Sequence, residues 1–318
     1  MALTSSWASH GWFRGLFVAW AILALLVVWR QSQVVLDRRF KQQGIASSSE
    51  LVIPKIIHQS WKTAERIPSK FVPWMQSWQR FHPSWTYMFW DDDDNLKVFQ
   101  VHFPQYLSVA TAVSKIELAD MARVALLYLY GGVYVDSDFE CLRAFDDLRH
   151  LSLFLSAEPR VHAILLESLE TPRLWNAILA SQPRHPFWIA ILDAIQANFN
   201  AYRDTSDPIA LTGPGAFDPT YAAWPDKDSV VVLPEEYFYP EFSAWLVPNM
   251  TAACKSSNHI PAVASACTWL NQHPQGHKTS NTHAVHRWQC TWCGRGSKAN
   301  ESFTTLADAA PNHARPKW

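Results

Sequence analysis

ADMARVALLYLYGGVYVDSDFECL, residues Ala119 to Leu142, changes its hydrophobic period part-way along. From Lys115 to Tyr130 the chain has the length and apolar content of a buried helix, and the Gly131-Gly132 pair ends it. Val133 to Phe139 then reads as a strand. A period of two puts Tyr134, Asp136 and Asp138 on one face, with Val133 and Val135 on the other. At a rise of ~3.3 Å per residue the two carboxylates stand about 6.6 Å apart along the backbone. Their oxygens can converge on one hard divalent cation, Mg²⁺ or Mn²⁺, and leave coordination positions open for a diphosphate. An Asp-x-Asp pair alone is equally what a polar strand end offers. On the preceding helix Asp120 and Arg123 are three apart and share a face. They present an acceptor and a fixed cationic fork to a cleft, or else form an ordinary ion pair.

Outward from this stretch, Leu51 to His58 is a β-type apolar run suited to a first buried strand. Tyr87 to Trp90 reads as a second strand, halted by Asp91 to Asp94, which reads as a solvated loop. Strands alternating with helices predict an α/β sheet with its site at the strand ends. No internal repeat or low-complexity linker interrupts residues 51–318.

Composition narrows the function. Among 318 residues, 27 Lys and Arg balance 28 Asp and Glu for a net charge of −1, so no polybasic field attracts nucleic acid. Hydrophobic residues at 48% exclude wholesale disorder. Ten glycines are too few for a Gly-rich linker or collagenous chain, while 17 Trp and 17 Phe supply core and stacking surfaces.

The N-terminal part is organised differently. Between Arg14 and Arg30 lies an uncharged run from Gly15 to Trp29, which Trp12 and Phe13 extend past a snorkelling Arg14. No small-residue cleavage site follows it, so 12–30 is read as a transmembrane signal anchor, after a tail of 1–11 and before a polar stem of 31–50. A cleaved signal or a buried helix is the alternative. Arg30, Arg38, Arg39 and Lys41 behind the span argue for a cytoplasmic body by the positive-inside rule. Two sequons, at Asn249 and Asn300, and the four cysteines Cys254, Cys267, Cys290 and Cys293 argue for a lumenal one, the reading adopted here. These cysteines suit disulfides, with three pairings open, although Cys290-x-x-Cys293 also fits half of a zinc or redox site. Cys141 reads as a buried free thiol.

Three stretches carry a family resemblance: IPKIIHQSWKT (Ile53–Thr63), Ala119–Leu142 and HAVHRWQCTW (His283–Trp292). In that order they resemble the DXD-containing glycosyltransferases of family 32, which include yeast-type initiating α-1,6-mannosyltransferases and inositol-phosphorylceramide mannosyltransferases. The resemblance spans residues 51 to 292 and implies a GT-A-type fold, a Rossmann-like mixed sheet flanked by helices, over 51–318. It implies a retaining hexosyltransferase that uses a divalent metal and a nucleotide sugar, with GDP-mannose the expected donor. The expected acceptor is a glycan or a glycolipid of the inositol-phosphorylceramide sphingolipid type.

Carried over by position, Asp136 and Asp138 match the DXD pair. Asp120 and Arg123 match a helix pair that holds donor-sugar hydroxyls in the related clostridial glucosylating toxins, and both pairs are assigned to catalysis. The resemblance implies donor contacts from Trp61, His58, Tyr134, Asn176, Thr291 and Trp292, and a metal held by Asp136, Asp138 and His286. His58 is open to another reading, as a hydrogen-bonded core histidine. Gln289-Cys290-Thr291 departs from the family's small-residue-Ser form, leaving Thr291 to supply the hydroxyl. Gln182–Phe187 and the Thr212-Gly213-Pro214-Gly215 turn resemble segments expected near the acceptor. The implied setting is a Golgi membrane, single-pass type II, with a lumenal catalytic domain. A rival from another class is a phosphohydrolase of the aspartyl-phosphate type, which leaves Asp120 and Arg123 without a role. A catalytically silent sugar-binding protein is the third reading.

Overall fold

The Lys115–Tyr130 helix starts from a capping box: Ser114 accepts the Glu117 amide while the Glu117 carboxylate accepts the Ser114 amide at 2.7 Å. It ends at Gly131, whose φ of +64° is followed by +92° at Gly132, backbone that favours glycine at both positions. A side chain has no room there either, because a Cβ on Gly132 would meet the Ile56 carbonyl oxygen at 2.5 Å. This turn delivers the chain into the middle of the sheet. The computed structural model describes residues 51–201, 207–257, 259–289 and 301–318.

Eleven strands are present among these residues: β1 (Ile56–Ser60), β2 (Ile67–Pro68), β3 (Thr86–Trp90), β4 (Gly132–Val135), β5 (Phe139–Cys141), β6 (Leu153–Ala157), β7 (Leu174–Ser181), β8 (Val231–Leu233), β9 (Ala284–His286), β10 (Phe303–Thr304) and β11 (His313–Ala314). Seven form one mixed sheet in the order β11-β3-β1-β4-β7-β6-β8. β1 is parallel to β3 and β4, while β7 runs antiparallel to both β4 and β6. Both faces are covered. Tyr134, Leu153, Leu155 and Leu179 pack toward the Lys115–Tyr130 and Phe187–Ala201 helices. Val133, Val135, Phe154, Ile178 and Ala180 pack toward the Val72–Phe81 helix and Leu306–Ala309. The period-two alternation of each strand produces these two cores.

Three local expectations are corrected. The first strand occupies Ile56–Ser60 rather than Leu51–His58, since Pro54 interrupts the run and Ile56 N–H turns back to the Pro54 carbonyl. Asp91 to Asp94 is not a loop. Asp91 caps the Asp92–His102 helix and the others fill its first turn, where carboxylates favour the helix dipole. Nor does Val133 to Phe139 form one strand. The Phe139 amide bonds the Asp136 carbonyl at 3.1 Å, so Asp136-Ser137-Asp138 turns between β4 and β5, and β5 pairs with β9 in a separate two-stranded sheet.

Leu51–Trp318 is one compact unit. Within it the helices Arg160–Leu166, Val247–Ser257 and Pro261–Gln272 enclose a small core around Met250, and Cys254 and Cys267 form a disulfide between the last two. Cys141 is free and buried, as expected. Asn249 is exposed on its helix. Among the described residues no helix is long and apolar enough to cross a membrane. The expected anchor (12–30), the stem (31–50), Cys290, Thr291, Trp292, Cys293 and the Asn300 sequon lie outside the described residues.

Gly132→Ala should cost about 2–4 kcal/mol of unfolding free energy, from a disfavoured φ together with the Ile56 clash. Urea unfolding of the purified variant checks this. A loss below about 0.5 kcal/mol would mean that the turn can relax.

Candidate active site

Arg123 lies 3% exposed under the sheet's strand ends, and every one of its N–H groups has an acceptor. Nε faces the Ala119 carbonyl at 3.4 Å, and Nη1 donates to the Asn176 carbonyl at 2.6 Å and faces Asp136 Oδ2 at 3.5 Å. Nη2 pairs with Asp120 Oδ1 at 2.9 Å and Asp136 Oδ1 at 3.2 Å. Its cationic plane sits 4.7 Å from the Tyr134 ring centre, and the Tyr134 hydroxyl donates to Asp136 Oδ1 at 3.2 Å. Asp120 is held again by Asn176 Nδ2 at 2.9 Å and by the Thr212 hydroxyl at 2.7 Å. Asp120, Arg123, Tyr134, Asp136 and Asn176 thus form one network drawn from a helix, β4, the turn after it and β7. Arg123 is not the open cationic fork expected from the sequence. Its donors are committed inside the protein, so it positions the carboxylates rather than reaching a ligand.

Asp138 belongs to a second, adjoining pair. Its Oδ2 accepts the Gln289 amide at 2.7 Å and faces His286 Nε2 at 3.2 Å. The β5–β9 register sets this contact by placing His286 opposite Phe139, and the two rings stack at 4.6 Å. Burial pushes the Asp136 carboxyl up to about 6, against the pull of Arg123 and with Asp138 adding to the rise. Asp120 moves in the same direction for the same first reason.

Two carboxylates therefore face one guanidinium, and a third, Asp138, faces His286 beside them. Among the described residues no group of three or more His, Cys, Asp and Glu side chains is gathered closely enough to cage a metal ion. Even so, the donor set suits one. Carboxylate oxygens with a single imidazole match Mn²⁺ or Mg²⁺, the acidic excess is uncompensated, and His286 Nδ1 is buried with no hydrogen-bond partner.

His58 and Trp61 sit elsewhere. Trp90 Nε1 can only donate, so it fixes His58 Nδ1 as an acceptor at 3.2 Å, and Nε2–H donates to the Gly131 carbonyl at 2.9 Å. Both nitrogens are engaged in the core, and burial lowers the pKa to about 4. The donor contact expected of His58 has no nitrogen left to make it. Its contacts support the glycine turn instead. Trp61 is half-buried at the end of β1, its Nε1 donating to the Arg66 carbonyl and its ring edge-on to Phe71. The neighbouring Ser60 carbonyl accepts the Ser137 hydroxyl, and Gln59 Nε2 donates to the Asp136 carbonyl. Gln59, Ser137 and Tyr239 are given no site role by the sequence, and Gln289 enters there only as a departure from the family form. Only their long-range contacts reveal them.

Residues 68–155 match the family described as the glycosyltransferase sugar-binding region containing DXD motif. That segment holds Asp120, Arg123, Asp136 and Asp138. The match covers that segment alone. The chain is 30% identical over 202 residues to inositol phosphoceramide mannosyltransferase 3 of Schizosaccharomyces pombe, covering 61% of this chain and 53% of that protein. It is 32% identical over 146 residues to a mannosyl phosphorylinositol ceramide synthase of Saccharomyces cerevisiae, covering 46% and 36%. The chain thus spans about half the length of the first and about a third of the second. Among solved structures the PaToxG glycosyltransferase overlays with a TM-score of 0.42 at 17% identity, over 72% of this chain and 82% of that one, a likeness too loose to argue from.

Two measurements probe this geometry. Arg123→Met leaves Asp120 and Asp136 facing each other uncompensated, and should cost about 3–5 kcal/mol at neutral pH. Adding Asp136→Asn should restore part of that loss, whereas equal unfolding midpoints for the single and double variants would contradict the network. His58 is the pH probe. Its folded pKa of about 4 lies below the unfolded value near 6.5, so it stabilises above that value and the stabilisation is lost as pH falls from 6.5 through 4. His58→Gln should flatten this slope only in part, because His82 is lowered to about 4 as well. Parallel pH profiles for wild type and variant would remove the assignment.

Proposed function

We propose that the protein is a membrane-anchored, metal-dependent retaining hexosyltransferase with a GT-A-type catalytic domain, moving mannose from GDP-mannose to a hydroxyl of an inositol-phosphorylceramide-like glycolipid or a glycan. The observation that carries this reading is the convergence of Asp120, Arg123 and Asp136, all inside the matched segment, with Asn176 from β7 on one network. Mannose and the lipid acceptor are supported by the names of the yeast relatives. A lumenal site in the Golgi is supported by the Cys254–Cys267 disulfide, which belongs to an oxidising compartment, and by the exposed Asn249 sequon.

Transfer breaks the bond from sugar C1 to the leaving diphosphate oxygen and makes a bond from C1 to the acceptor oxygen on the same face, the acceptor hydroxyl's proton passing to the leaving diphosphate. Asp136, Asp138 and His286 would hold the divalent cation, which supplies positive charge to the leaving diphosphate. Asp120 Oδ1 is saturated by Arg123 and Asn176, while Oδ2 accepts one bond from Thr212 and keeps a lone pair for a sugar hydroxyl. Arg123 and Asn176 hold that carboxylate still, so its orientation costs nothing at the moment of reaction. Tyr134 and Arg123 together fix Asp136, and the Gln289 amide fixes Asp138.

Full-length protein in detergent should hydrolyse GDP-mannose slowly and transfer mannose to acceptor with Mn²⁺ stimulation, ahead of UDP-hexoses in a donor panel. Asp138→Ala should lower the metal-stimulated rate by about 100-fold or more. Turnover that is undiminished in this variant, or indifferent to chelator, would overturn the reading.

A further inference from the structure

Three residues other than glycine stand at positive φ among the described residues: Ser168, Arg184 and Trp288. A bulky side chain in that region is a backbone outlier, and it persists only where its surroundings hold it in place. Trp288, at φ +55°, is the aromatic one. It lies two residues beyond β9, between the two residues whose amides reach Asp138.

The backbone at Trp288 redirects the chain. β9 pairs antiparallel with β5, His286 opposite Phe139, and the pairing runs one step further, where the Arg287 amide donates to the Asp138 carbonyl at 2.8 Å. An extended residue at 288 would carry the second amide after that about 6.6 Å along the strand, at ~3.3 Å per residue, and away from Asp138. Left-handed backbone folds the chain back instead, and the Gln289 amide donates to Asp138 Oδ2 at 2.7 Å. Amides on either side of a left-handed residue form a concavity that suits an anion. Here the anion is a carboxylate of the same chain.

The indole supplies the contacts that hold Trp288 there. Its Nε1 donates to the Glu241 carbonyl at 3.1 Å, and its ring packs against His286 at 4.4 Å, His162 at 4.9 Å, Trp175 at 5.1 Å and Tyr239 at 6.0 Å. The resulting clamp decides which oxygen of Asp138 stays open. Oδ2 takes the Gln289 amide and faces His286 Nε2 at 3.2 Å, while Oδ1 accepts no bond among the described residues.

We infer that Trp288 is a positioning residue of the cation site: its left-handed backbone brings the Gln289 amide onto Asp138 Oδ2 and so presents Oδ1 to the cation. The inference rests on the cation of the transferase reading above. It adds that the backbone conformation at residue 288, rather than the volume of the indole, sets cation affinity. In this role Trp288 acts through Asp138.

Two pairs of variants of the full-length protein in detergent test it, with Mn²⁺ alone as the probe and the free ion read by electron paramagnetic resonance. Glycine and asparagine adopt left-handed backbone, whereas valine and leucine resist it. Trp288→Leu and Trp288→Val should raise the Mn²⁺ dissociation constant about 10- to 100-fold, the range for losing a group that orients a metal ligand. Trp288→Asn and Trp288→Gly should hold it within about threefold of wild type, because both keep the turn without an anchor. Core filling alone gives the opposite order, since leucine and valine leave the smaller cavities. That opposite order, or equal constants across the four variants, overturns the inference, as does wild type that binds no Mn²⁺. Urea midpoints show whether each variant is folded; where one member of a pair is not, the other pair decides. Hydrolysis of GDP-mannose by wild type is measured separately. Its absence while Mn²⁺ still binds overturns the transferase reading, and the order of the variants then still decides the role of Trp288.

Discussion

A single guanidinium holds three parts of this fold in one place. Arg123 reaches from the Lys115–Tyr130 helix to the turn after β4 and to the β7 main chain, and all five of its N–H groups point at protein acceptors. A lysine at this position would supply three donors and no plane, so it could not bridge Asp120 and Asp136 while facing Tyr134. Turning Arg123 toward a ligand would strand two buried carboxylates, a penalty of about 3–5 kcal/mol. The residue therefore acts through the groups that it holds, and the site carries more carboxylates than guanidinium charge, an excess that suits a cation.

That arrangement depends on the glycine turn behind it. Gly131 and Gly132 bring the helix end into β4 at positive φ, and the Gly131 carbonyl is held by His58, itself fixed by Trp90. The helix and β4 are then close enough for Asp120 and Asp136 to share one partner. His58 contributes by staying neutral, which fits its complete enclosure among aromatic rings better than a ligand contact would.

Much of this was legible in the sequence, because the signals are local. The Lys115–Tyr130 helix follows from its apolar content and glycine stop, and the pairing of Asp120 with Arg123 follows from their i,i+3 spacing. The turn at Asp136–Asp138 was not legible, since Val-Tyr-Val-Asp-Ser-Asp-Phe alternates like a strand and nothing in it announces a hydrogen bond back to the Asp136 carbonyl. Asp91 to Asp94 misled for a related reason. A run of aspartates suits a loop and a helix N-terminus equally, and here capping together with Arg315, more than 200 residues away, selects the helix. Tyr239 lies in no motif, and Gln59 and Gln289 lie inside two of them without any sign of a contact to Asp136 or Asp138, so only the tertiary fold reveals their part.

The C-terminal return strand explains why Asp138 and Asp136 differ in surroundings although one residue separates them. β9 pairs antiparallel with β5, and beyond it the Arg287 amide bonds the Asp138 carbonyl while the Gln289 amide bonds its carboxylate. Asp136 is gripped instead from the helix side, by Arg123 and Tyr134. The turn thus hands one carboxylate to each half of the molecule. A cation that needs both would couple the helix and the return strand, and with the strand the Pro234–Phe242 segment that His286 and Trp288 touch through Tyr239.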